Sequence, residues 1–161
     1  MAFLSEDLRN QIQGYIPNYP DKRAVTLWAL HIVQDALRCV PLQAIREIAE
    51  ILELHPSEVA DTMSFYGIFR DEQHKLGKDR VWVCRSISCG LRGGEELLEG
   101  LCAHWKVKPG DTTADGAITV EFAECLGACE QAPCILVNDE MHGNMTQESV
   151  VKLMENGGQA S

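Results

Sequence analysis

Val81-Trp82-Val83-Cys84-Arg85-Ser86-Ile87-Ser88-Cys89 is where the sequence changes character. A short β-branched and aromatic run reads as a strand. A C-x4-C pair, Cys84 and Cys89, follows as the loop that leaves it. A second pair, Cys125-Leu126-Gly127-Ala128-Cys129, is a C-x3-C that leaves a second strand, the alternating run Ala117 to Phe122. The 35 residues between the pairs suffice for a helix and a returning strand. Gly93 to Trp105 reads as that helix, with Leu97, Leu101 and Trp105 at i, i+4 and i+8. A crossover of this kind sets two strand-end loops side by side. The four thiols are therefore expected to converge at the sheet edge.

Downstream, Cys134 to Val137 reads as another apolar strand and Asn138-Asp139 as a turn. Thr146 caps a last helix, with Val150, Leu153 and Met154 facing inward and Gly157 at its end. Strands and helices together predict an α+β arrangement, a sheet covered by helices.

Upstream, the pattern is helical. Ser5 caps a helix that carries Leu8 and Ile12, and the two prolines of Tyr15 to Pro20 break it. Val25, Ala29, Ile32 and Ala36, with Trp28 on the same side, predict a second helix. Pro41 suits the first turn of a third, with the stripe Leu42, Ile45, Ala49 and Leu52. Pro56 starts a fourth, with Val59 and Met63 one turn apart and Gly67 placed for a left-handed cap. The expected organisation is a small helical bundle over residues 1–70, a polar linker over 71–79 and the α+β domain over 80–161.

Composition narrows the function. The chain has 161 residues, with 14 basic against 24 acidic side chains and a formal net charge of -10. Such a surface repels phosphate, which argues against nucleic acid and anionic membrane as direct partners. No apolar run approaches the roughly 20 residues that span a bilayer. The N-terminus is neither a signal peptide nor an Arg-rich transit peptide, so the protein is expected to stay where it is made. Seven cysteines in such a chain point to metal or redox chemistry rather than to a disulfide framework.

Four thiolates hold tetrahedral zinc or an iron–sulfur cluster. The spacing favours a [2Fe–2S] cluster, whose two irons suit two separate loops wider than a zinc knuckle. Zinc and a thiol redox pair stay open on spacing alone. Gly90 and Gly127, at the two loops, are expected to let backbone approach sulfur and turn N–H groups toward it. Cys39, Cys102 and Cys134 read as core residues, although Cys134 is near enough to Cys129 to rival it as a ligand. His31, His55, His74, His104 and His142 form no spaced set. There is no nucleotide-binding glycine motif and no nucleophile–base motif. Gly93-Gly94 reads as a helix cap rather than an anion site.

From about Tyr15 to Met154 the chain resembles the E subunit, the 24-kDa type, of bacterial respiratory NADH:quinone oxidoreductase (complex I), a thioredoxin-like [2Fe–2S] ferredoxin family. The most specific stretches are Glu124 to Pro133, and Cys84 to Cys89 with the following Gly90-Leu91-Arg92-Gly93-Gly94-Glu95. Asp115-Gly116, Val137-Asn138-Asp139, Tyr19 to Arg23 and Ser64-Phe65-Tyr66 match as well. Arg38-Cys39 stands where the family usually has a Gly-aromatic pair, Cys134 where it has an aliphatic residue, and Ser64 where it has Thr.

Carried over position by position, the resemblance implies one [2Fe–2S] cluster held by Cys84, Cys89, Cys125 and Cys129. It implies a partner F subunit that binds NADH and FMN. The cluster would exchange single electrons with that flavin, off the main chain of clusters. It further implies a bacterial, cytoplasmic location, peripheral on the inner membrane through the assembly. Phe65, Tyr66 and Phe69 would either face the partner or form internal core. The homologous subunit of a soluble NAD-linked hydrogenase or formate dehydrogenase is the near alternative. A stand-alone carrier and a zinc-stabilised interaction module are alternatives of other classes.

Overall fold

Ser5 accepts a hydrogen bond from the Leu8 amide and opens the first helix, α1 (Glu6–Tyr15). A computed structural model describes residues 2–157, and the chain divides into two compact units between Lys75 and Leu76.

In the first unit, α1 is followed by two short 3-10 turns, Ile16–Asn18 and Lys22–Val25. Three more helices come next: α2 (Thr26–Leu37), α3 (Leu42–Leu52) and α4 (Pro56–Phe65). Ile12, Leu30, Ile48, Leu52 and Val59 are fully buried at the centre. Side chains of this size each contribute roughly 1.5–3 kcal/mol when removed from water. Buried Gln34 joins α2 to the segment after α4. Its Nε2 donates to the Ile68 carbonyl at 2.9 Å, and its Oε1 accepts from the Arg70 amide at 2.7 Å.

Three details differ from the sequence reading. The buried face of α2 is Val25, Ala29, Leu30 and Val33, whereas Ala36 and Trp28 are exposed. Thr26 to Ile32 is apolar almost all round, so more than one stripe fits it. Tertiary packing chooses, and Trp28 instead stacks on Tyr15 at 4.8 Å and donates to the Tyr19 hydroxyl. In α3, Leu42 is exposed, Ala44 and Ile48 complete the buried face, and Pro41 takes the N-cap position rather than the first turn. Gly67 is not left-handed, because α4 ends on an extended Tyr66.

The second unit is built on a four-stranded sheet in the order β2-β1-β3-β4. The strands are β1 (Asp79–Cys84), β2 (Ile118–Ala123), β3 (Ile135–Val137) and β4 (Glu140–His142). β1 and β2 run parallel, with Val81 opposite Val120 and Cys84 opposite Ala123. The connection between them carries the short helix α5 (Ile87–Leu91) and the longer α6 (Gly94–Trp105). β3 pairs antiparallel with β1, and β4 with β3. β4 escaped the sequence reading, which placed only a turn at Asn138-Asp139. The three residues of β4, which follow the turn at left-handed Asn138, are too few to show a period of two.

Thr146 and Ser149 cap the last helix, α7 (Gln147–Glu155), reciprocally. Val81, Val83, Val120, Ile135 and Val137 pack with Leu98 and Leu101 of α6 and Val150 of α7. Strands thus supply one layer and helices the other, the α+β architecture expected. No helix among the described residues is long and apolar enough to cross a membrane.

Candidate metal centre

Because β1 and β2 are parallel and in register, their carboxyl ends stop at the same level. The Arg85 amide continues the ladder to the Ala123 carbonyl at 3.0 Å. Cys84 is therefore the last residue of β1, and Cys125 comes two residues after the end of β2. The two cysteine motifs leave adjacent strand ends on the same side, as the crossover requires. The first motif is not a simple loop. After Ser86 the chain forms α5, which carries Cys89.

Cys84 and Cys89 are each 2% exposed. Their sulfurs form a group with that of Cys134, all within 4.8 Å of one another. The Sγ atoms of Cys89 and Cys134 are 3.6 Å apart. The Cys84 amide donates to the Cys134 carbonyl at 3.1 Å, which fixes the start of β3 beside the end of β1. Ala132 is buried among these sulfurs, with Leu126 and Ala128 packed around them.

Burial alone would push the Cys84 thiol up. The backbone N–H groups of Leu126 and Ser86, with the Cys89 and Cys134 thiols, outweigh burial and hold it below its ordinary value. Burial raises Cys89, against a lowering contribution from the Cys134 amide. Cys134 is pushed up to about 12 by burial and by its two sulfur neighbours. The backbone N–H groups that lower these two thiols belong to Leu126 and Ser86 for Cys84 and to Cys134 for Cys89. The Gly90 amide is spent within α5 on the Ser86 carbonyl at 2.8 Å. Gly127 serves through its backbone, a left-handed φ of 83° that turns the second loop.

Cys125 and Cys129 are exposed and lie outside the three-sulfur group. Cys129 opens a 3-10 turn, Cys129–Gln131, ahead of a cis Ala132–Pro133 bond. The segment after β4 anchors this loop. The Asn144 amide donates to the Gln131 carbonyl at 2.6 Å and the Met145 amide to the Pro133 carbonyl at 3.0 Å. Arg92 donates to the Ala132 carbonyl at 3.3 Å. At the strand ends, Arg85 pairs with the Glu124 carboxylate on the surface.

The start of α6 is pressed against the same backbone. A Cβ on Gly94 would stand 2.6 Å from the Cys84 carbonyl oxygen and 2.9 Å from that of Cys89. Gly93 takes the left-handed N-cap with φ 87°. Gly93 thus caps the helix, as expected, and the pair closes it onto the cysteine-bearing turn.

Cys39 and Cys102 are buried. Cys102 packs in the sheet–helix core, and burial raises its thiol. Cys134 is buried too, but its neighbours are sulfurs. The sequence signal for this was its five-residue distance from Cys129. Its aliphatic surroundings in the chain outweighed that signal. The histidines stay apart. His55 caps α4, accepting from the Ser57 amide, and His104 sits edge-on to Trp105.

The donor set fits a thiolate-bound cluster. It consists of sulfur alone, two sulfurs are shielded from water, and backbone amides already lower the Cys84 thiol. Ligands that are this soft and anionic suit iron–sulfur centres or zinc.

Known proteins separate these two. A family model described as thioredoxin-like [2Fe-2S] ferredoxin matches residues 12–157. An E subunit of NADH-quinone oxidoreductase from Rhizobium meliloti is 36% identical over 148 residues, 92% of this chain and 87% of that one. The corresponding E subunit from Aquifex aeolicus is 37% identical over 150 residues, 93% of this chain and 91% of that one. Among solved structures, an NAD+-reducing [NiFe]-hydrogenase in the air-oxidized state matches 81% of this chain with a TM-score of 0.71 and 28% identity. This chain spans only 22% of that hydrogenase chain. A family model over residues 12–157 and relatives that match nearly the whole chain decide for iron–sulfur over zinc, and the chain belongs to the thioredoxin-like [2Fe-2S] ferredoxin family, with a [2Fe–2S] cluster as its cofactor.

Proposed function

We propose that this chain is the electron-transfer E subunit in the NADH-oxidising module of an NADH:quinone oxidoreductase, with Cys84, Cys89, Cys125 and Cys129 as the cluster ligands. When bound, the cluster supplies reversible one-electron storage. It would exchange electrons with FMN in the partner F subunit, which also binds NADH. The chain's own residues do the rest. Cys84 and Cys89 present buried sulfurs from the end of β1 and from α5, and Cys125 and Cys129 stand on the exposed loop that leaves the neighbouring strand end.

The observation that carries this reading is the register of β1 and β2. It brings the two cysteine motifs out of the sheet side by side. Relatives carrying the E-subunit name match nearly the whole chain, which supports the assembly. The chain would then sit peripherally on the cytoplasmic side of a bacterial inner membrane, held there by its partners. The likeness to the NAD+-reducing hydrogenase favours one second reading, the homologous subunit of a soluble NAD-linked enzyme.

Low-temperature EPR of anaerobically purified, dithionite-reduced protein tests the cofactor and its role. One spin-half signal that is absent before reduction is expected. A colourless, EPR-silent, zinc-containing protein would overturn the proposal. Affinity purification from the native host distinguishes the two assemblies: a flavoprotein accompanied by quinone-reducing membrane subunits supports the first, and one accompanied by a hydrogenase subunit supports the second.

A further inference from the structure

Cys134 is the one sulfur of the buried group that the proposed ligand set does not use. Its side chain is 1% exposed, and its Sγ lies 3.6 Å from the Sγ of Cys89. Thiol–thiol contacts of this length are hydrogen bonds in which either sulfur can donate. Iron ligation settles the direction, because a ligating Cys89 is a thiolate and carries no proton. The only S–H left between the two belongs to Cys134.

We infer that Cys134 is a positioning residue that donates an S–H···S hydrogen bond to the ligand Cys89 and raises the reduction potential of the cluster. The inference rests on the ligand assignment proposed above. Its physical basis is charge. Reduction adds an electron whose negative charge spreads onto the ligand sulfurs. A donor at sulfur therefore stabilises the reduced form more than the oxidised one. Burial strengthens the effect, because no water competes for the Cys89 sulfur from that side. Cys102 provides an internal contrast, being equally a buried cysteine but placed among the leucines of α6.

The test is an EPR-monitored redox titration of the full cluster-loaded chain, as wild type and as Cys134→Val, Cys134→Ser and Cys102→Val. Cys134→Val removes the side-chain donor and keeps the amide. Its midpoint is expected to fall by a threefold to tenfold change in the reduction equilibrium, about 30–60 mV at 59 mV per tenfold. Cys134→Ser restores an O–H donor and is expected to lie close to wild type, with Cys102→Val unshifted. Resonance Raman of the wild type and Cys134→Val in H2O and D2O adds a vibrational readout. The Fe–S stretching band is expected to shift more on exchange in the wild type than in Cys134→Val, the difference belonging to the S–H. Equal midpoints for Cys134→Val and wild type, or equal D2O shifts in the two, would overturn the inference while leaving the cluster in place. Loss of the cluster from folded Cys134→Val and Cys134→Ser would overturn it differently, by making Cys134 a ligand. If the wild type carried no cluster at all, the ligand assignment itself would fail.

Discussion

Gly94 lies against Cys84 so closely that a Cβ at position 94 would stand 2.6 Å from the Cys84 carbonyl oxygen. Two effects oppose each other in Gly94→Ala. Alanine gains up to about 1 kcal/mol of helix propensity. Overpacking against a fixed neighbour typically costs about 1–3 kcal/mol. Here the neighbours are the backbones of Cys84 and Cys89, which cannot rotate away. The clash should win, with a net loss of about 1–2 kcal/mol in urea denaturation. Iron retained per chain should fall as well, because the displaced backbone carries two of the proposed ligands. A variant as stable and as well loaded as wild type would show that α6 can shift freely.

Glu121 on β2 is 7% exposed and accepts from both Arg80 Nε and Trp82 Nε1 on β1. Arg80 also lies over the Trp82 ring at 4.4 Å. Removing one member of a buried ion pair strands the other charge at a cost of about 3–5 kcal/mol. Glu121→Ala should fall in that range by urea denaturation. Arg80→Met combined with Glu121→Leu should recover most of the loss, since an apolar pair of similar volume leaves no stranded charge. An additive double mutant would mean that the pair is not coupled.

The helix starts and the cysteine spacing show where the sequence was informative. Ser5 and Thr146 announced helix starts because a capping side chain acts on amides two or three residues away. The cysteine spacing and the crossover were legible for the same reason, since both are matters of chain length. The ends of α2 and α3 were harder to place, because left-handed Arg38 and Glu53 do the work of a terminal glycine. The face of α2 stayed ambiguous in a segment with few polar residues. Cys134 was the largest omission at the site. Its contact with Cys89 is made across 45 residues of chain and depends on the β1–β3 register, which no local pattern encodes. Gly94 likewise looked like a cap, and its close approach to Cys84 appeared only with the tertiary structure.

In the helical unit, Glu47 accepts from the Phe3 amide, from the Leu4 amide at 3.0 Å and from Arg9. Burial would raise its carboxyl, but the two amides and Arg9 outweigh burial and hold it below the ordinary value of 4.5. A depressed carboxyl binds fewer protons in the folded than in the unfolded state. Its stabilisation is therefore complete above the unfolded value and is lost as pH falls through the folded one. Glu47→Gln should flatten the acid limb of stability below about pH 4.5. Glu47→Ala should cost about 1.5–3 kcal/mol at neutral pH, as expected for hydrogen bonds to a charged group. Unfolding followed by circular dichroism at several pH values would check both. An unchanged acid limb in Glu47→Gln would remove Glu47 from the account.

The ligand assignment divides the seven cysteines into sets with opposite expectations. Cys84→Ser, Cys89→Ser, Cys125→Ser and Cys129→Ser should each reduce iron from about two per chain toward zero, or leave a weakly held and spectrally altered centre. Cys125 and Cys129 carry the sharper test. They are exposed, so a serine there costs little packing and any loss of iron reports ligation directly. Cys102→Ser should keep its iron while losing some stability, because it places a hydroxyl among Leu98, Leu101 and Val150. Cys134→Ser should also keep its iron, with its sulfur replaced by another donor beside Cys89. Iron and sulfide analysis with visible absorption would read the whole series. If Cys134→Ser bleached the protein and Cys125→Ser did not, the buried group Cys84, Cys89 and Cys134 would be the ligand core, and the exposed loop would contribute only Cys129.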